Sequence, residues 1–84
     1  MWDEQPVSDG KFWALLHPEN GEIGGFFKAK KTGTCYASIG FNGVSFMRTG
    51  KSRPKVLQEF EDEVIRRAPK LFGSDVTFVL ETKP

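Results

Sequence analysis

Across residues 34–49 polar and apolar side chains alternate in two runs joined by Asn42-Gly43. Period-two alternation marks a strand with one buried face, and Asn-Gly accepts the positive φ that both central positions of a type I′ turn require. The turn sets Phe41 opposite Val44, Ile39 opposite Phe46 and Ser38 opposite Met47. One face of this hairpin then carries Cys35, Ala37, Ile39, Phe41, Val44 and Phe46. The other carries Tyr36, Ser38, Gly40, Ser45 and Met47.

Residues 11–17 read as an earlier strand, and Asn20-Gly21 gives a second type I′ signal pairing Glu19 with Glu22. That register sets Ala14 opposite Phe27, Trp13 opposite Lys28 and Leu15 opposite Phe26, with Gly24-Gly25 as a candidate bulge. The next connection decides how the two hairpins share a sheet. A two-residue turn would place Lys28 and Lys30 on the row of Cys35 and Ile39, against the expectation that this row is buried. A three-residue loop, Lys31-Thr32-Gly33 with Gly33 left-handed, pairs Lys30 with Thr34 and Lys28 with Tyr36. It also sets Phe27 and Ala29 beside Ala37 and Cys35, so three turns agree on one core face.

An antiparallel sheet with one apolar face needs a cover. Leu57, Phe60, Val64, Ala68 and Leu71 recur at helical spacing and supply it. Ser52 suits the N-cap, Pro54 the first turn and Gly73 the exit, while Pro69 is expected to kink or stop the helix near Arg67. Residues 74–82 alternate again, with Val76, Phe78 and Leu80 against Thr77, Val79 and Glu81. The expected architecture is therefore α+β, in the order β-β-β-β-α-β, as a single domain over 1–84. Residues 1–10 form an irregular lead-in pinned by Trp2, 11–49 a four-stranded antiparallel meander, 52–71 one amphipathic helix on its face, and 74–82 a fifth strand. In this order of elements the chain resembles small sheet-plus-helix nucleic-acid binders, such as the single-strand-binding coactivators and the arm-binding domains of integrases. The resemblance is one of topology and carries no residue roles.

Composition narrows the function classes. Hydrophobic residues make up 38% and aromatics 13%, enough for a folded globule. One cysteine excludes an intrachain disulfide, and one histidine leaves no Cys/His zinc set, so neither metal nor cofactor is expected. No apolar run approaches the ~20 residues a membrane helix needs. The first residues lack a basic n-region and an apolar h-region, so no signal peptide is expected and an intracellular, cytoplasmic location is.

The net charge of +1 hides a segregation. Between Ile23 and Leu57 lie seven cations, Lys28, Lys30, Lys31, Arg48, Lys51, Arg53 and Lys55, and no acid. Such a block points to an anionic partner. On the expected register the outer sheet face interleaves Trp13, Phe26, Tyr36 and Met47 with Lys28 and Lys30. Rings that stack on bases beside ammonium groups that meet phosphates suit single-stranded nucleic acid. Lys51, Arg53 and Lys55 at the helix entrance oppose the macrodipole, which an anion there would relieve.

Other motifs carry less. Gly50-Lys51-Ser52 mimics a P-loop, but the required glycine at position 45 is Ser45. Glu59, Glu61, Asp62 and Glu63 fit a solvated helix face with Asp62–Arg66 and Glu63–Arg67 pairs. Cys35 and His17 fall on opposite faces, which gives no nucleophile pair and no expectation of an enzyme.

The expectation is a non-catalytic nucleic-acid-binding protein, single-stranded DNA or RNA favoured over duplex, contacting its partner through Trp13, Phe26, Lys28, Lys30, Lys31, Tyr36, Met47, Arg48, Lys51, Arg53 and Lys55. The alternative is a protein-interaction module, an inhibitor or adaptor docking by the aromatic face or the acidic helix. A homodimer fits either.

Overall fold

A computed structural model describes residues 1–73 and 75–84. It contains β1 (Trp2–Gln5), β2 (Gly10–His17), β3 (Gly21–Ala29), β4 (Cys35–Phe41), β5 (Val44–Gly50), α1 (Arg53–Leu71) and α2 (Thr77–Leu80). The strands form one antiparallel sheet in the order β1-β2-β3-β4-β5, and α1 packs on one face. The α+β class and the meander follow the sequence reading.

The Asn42-Gly43 turn is as expected, with φ of 54° and 80° and Phe41 opposite Val44. The β3–β4 connection is not. Ala29 N–H donates to Thr34 O and Gly33 N–H to Ala29 O, both at 2.9 Å, so four residues (30–33) make the loop where three were expected. A one-residue slip sends every side chain to the other face. Phe26 therefore faces Ala37 in the core, Phe27 faces Tyr36 outside, and Lys28 stands on the row of Cys35. The expectation that this row excludes lysine assumed that α1 covers all of it. Lys28 lies at the end of the sheet where the helix begins, and it is exposed.

The β2–β3 hairpin closes on His17 opposite Gly21 rather than on Glu19 and Glu22, and a bulge at Leu15/Leu16 leaves Ile23 as the extra residue. Glu19 N–H (3.1 Å) and the Asn20 amide (2.9 Å) both meet His17 Nδ1 and fix the loop.

Two further elements differ from expectation. Residues 2–5 form a strand, β1, whose Trp2 lies opposite Leu15 and makes an edge-to-face contact with Phe60 at 5.8 Å. The expected fifth strand at 74–82 is α2 instead, while Ser74 lies outside the described residues. Phe78 and Val79 are both buried. A strand would point these neighbours to opposite faces, whereas one helical turn buries both. The segment seals the β1 side of the core: Trp2 Nε1–H donates to Val79 O at 2.7 Å, and Thr82 Oγ1–H donates to Trp2 O at 2.7 Å.

Helix α1 begins at Ser52, whose Oγ accepts from Lys55 N–H, and buries Val56, Leu57, Phe60, Val64, Ala68 and Leu71. It continues through Pro69 to Leu71 rather than stopping near Arg67. Pro69 removes only a hydrogen bond in the last turn, and Phe72 N–H still closes on Ala68 O at 2.8 Å. No helix among the described residues is long and apolar enough to cross a membrane.

Candidate nucleic-acid interface

Antiparallel alternation decides where the cations gather. The start of β2, the end of β3, the β3–β4 loop, the end of β5 and the start of α1 all lie at one end of the sheet. Lys11, Lys28, Lys30, Lys31, Lys51, Arg53 and Lys55 belong to these segments. None forms an ion pair among the described residues.

A cleft of about 470 Å³ opens there, lined by Lys11, Trp13, Phe26, Lys28, Lys30 and Arg53 among others. Lys11 and Lys28 are direct cross-strand partners. Like charges placed so are destabilising by a few tenths to ~1 kcal/mol. The Arg53 guanidinium stands 5.3 Å from the Trp13 ring centroid, and Trp13 rests on Phe26 with centroids 5.8 Å apart. Lys51 Nζ donates to Thr32 O at 2.7 Å and Thr34 Oγ1 at 2.9 Å, fastening the β3–β4 loop beside the cleft. The first turn of α1 contains no acid, so its free N–H groups add positive potential to the cluster.

The expected site residues divide. Trp13, Lys28, Lys30 and Arg53 meet in the cleft, with Lys51 and Lys55 at its helix side. Phe26 also lines it but is fully buried, so it supports Trp13 and presents no ring to a ligand. Lys31 sits in the loop in a recess with Phe27 and Asp9. Tyr36 and Met47 lie on the outer face, away from the cleft. Arg48 points inward: it donates to Glu63 at 3.1 Å and lies over Phe46 at 5.4 Å. The expected aromatic-and-lysine outer face is therefore two separate surfaces. Lys11 was missed because it precedes the acid-free block and because the expected register paired Trp13, not Lys11, with Lys28.

Of the helix acids, Glu59 and Asp62 are exposed as expected and the Glu63–Arg67 pair forms, but Glu61 and Glu63 leave the solvated face. Glu63 is buried and receives Arg48, Arg66 (2.8 Å) and Arg67 together. The Arg67 hydrogen bond, with the three positive charges, holds its carboxyl below the ordinary glutamate range against the opposing effect of burial. Glu61 is buried with Oε1 on Lys83 Nζ at 3.0 Å, and Asp62 takes the Gln58 amide at 2.9 Å rather than Arg66. His17 stacks with Phe41 and Phe72 at 5.3 and 5.7 Å and meets Phe78 edge-on at 5.1 Å. It shares the inward-facing side with Cys35, contrary to the expected register, but the two stand at opposite ends of the sheet. No cluster of three metal-ligating side chains occurs among the described residues.

In comparisons with known proteins the chain matches no family model, no curated protein and no solved structure.

Proposed function

We propose that this is a non-catalytic nucleic-acid-binding protein whose contact surface is the basic end, with single strands favoured over duplex. The observation that carries the reading is the cross-strand pair of Lys11 and Lys28 in a cleft that also holds Lys30 and Arg53. Four cations converging with no ion-pair partner among the described residues are a repulsive arrangement that a phosphate chain would relieve. The preference for single strands comes from Trp13 and Arg53. Their planar groups lie inside a recess, where an unstacked base can reach them and a paired base cannot.

Fluorescence anisotropy with labelled single-stranded and duplex oligonucleotides at low salt tests the reading. Tighter binding to the single strand, lost as salt rises, is the expected result. Absence of binding to both at low salt sinks it. A second reading, a module that contacts protein, is favoured by a different observation: Tyr36 and Met47 stand exposed on the outer face, away from the basic cleft.

A further inference from the structure

Among the described residues, no helix covers the outer face of the sheet. Phe12 and Leu16 from β2, Phe27 from β3, Tyr36 from β4 and Met47 from β5 share it, with Tyr36 38% and Met47 55% exposed. Outward faces of antiparallel sheets are ordinarily polar, and contiguous apolar ones mark contacts. Two details specify the occupant.

The first is shape. A groove of about 400 Å³ runs over Gly24, Gly25 and Gly40, between Phe12 and the pair Phe27 and Tyr36, whose centroids are 6.3 Å apart. At Gly25 a Cβ would lie 2.7 Å from the Phe12 ring, so glycine there lets the ring lie flat along the groove. Met47, a flexible apolar knob, projects from the same face. Groove, flanking rings and Met47 beside them form one apolar surface that a second copy can cover.

The second is charge. From β2 to β5 the face carries no charged side chain between its two ends. Glu22, opposite Leu16, stands at one end. Lys31 stands at the other, in a recess beside Phe27 where it and Lys30 outnumber Asp9. A two-fold axis running across the strands reverses their direction. It lays the Glu22 end of one copy over the Lys31 end of its partner, twice.

We infer that the outer sheet face is a homodimer interface, occupied by a second copy of this chain related by that axis. The pairing buries Phe12, Phe27, Tyr36 and Met47 of both copies and turns the two basic clefts toward opposite ends of the dimer. It is independent of what the clefts bind.

Charge reversal tests it. Sedimentation or light scattering across the micromolar range should give a dimer for the native chain. Glu22→Lys and Lys31→Glu each set like charges against each other and should weaken the dimer about tenfold or more. The two together should restore it. Met47→Asp, at a position exposed in the single chain, should give a folded monomer by circular dichroism. A native chain that stays monomeric across this range overturns the inference. So does a dimer that none of these changes weakens, or one that the double reversal fails to rescue.

Discussion

Two groups of cations in this molecule have the same chemistry and opposite circumstances. Arg48, Arg66 and Arg67 converge on one buried carboxylate, Glu63, while Arg48 and Arg67 lie over the Phe46 ring at 5.4 and 5.2 Å. They share one carboxylate inside the fold. At the far end of α1, Lys11, Lys28, Lys30 and Arg53 surround Trp13, and none forms an ion pair among the described residues. In the first group the Arg48–Glu63 pair holds α1 to β5. In the second no carboxylate meets the cations among the described residues. Counting charges cannot tell the two apart, because Arg48 belongs to the same acid-free block as Lys28. Only the location of Glu63 separates them.

The contrast can be broken most forcefully by replacing Lys28 and Arg53 together with alanine. Each lost phosphate contact lowers single-strand affinity by roughly fivefold at ~0.1 M salt, so the pair should cost about 25-fold while thermal stability stays near native. A fall in stability without a fall in affinity would assign these residues to the fold instead.

The converse variant is Glu63→Gln. Its carboxyl is held below the ordinary glutamate value of about 4.3, so the folded state retains its charge where the unfolded chain takes up a proton. The stabilisation is complete above that value and drains away as pH falls through the lower folded-state value. Denaturant midpoints followed against pH should show Glu63→Gln less stable at neutral pH and flatter on the acid side, with oligonucleotide affinity unchanged.

Two smaller effects sharpen the comparison. Arg53→Lys keeps the charge and loses the planar group over Trp13. It should weaken single-strand binding a few-fold, within the ~0.5–1 kcal/mol of an exposed cation–π contact, and leave duplex binding as it was. Lys28→Thr removes the repulsion with Lys11 and adds a β-branched residue. Thermal denaturation should report a gain of a few tenths of a kcal/mol together with weaker binding. A residue kept at a cost to stability is one that serves something else.

The parts of the fold legible in the sequence were those fixed locally. Asn42-Gly43 dictates its own turn, and the α1 stripe repeats over about four turns, so the second hairpin and the helix fall where the pattern puts them. The β3–β4 loop was not legible, because three- and four-residue loops both place Gly33 left-handed, as it is at φ 71°. That single residue inverted the faces of β2 and β3. Strand β1 is four residues long and is held by contacts from residues 79 and 82, almost the whole chain away. In the last segment, alternation of Val76, Phe78 and Leu80 concealed that Phe78 and Val79 are buried together. The basic end itself was visible as a block without acids. Its membership was not: Lys11 joins through strand pairing, and Arg48 leaves through Glu63.

The basic end is tested most plainly by the salt dependence of single-strand binding, compared between the native chain and the Lys28→Ala, Arg53→Ala double variant. Plotted as log affinity against log salt, the native slope should be steep, and the variant's should be shallower by about 1.4, at ~0.7 per lost phosphate contact. Equal slopes, or no binding by the native chain at low salt, would contradict the assignment of the basic end as the nucleic-acid contact.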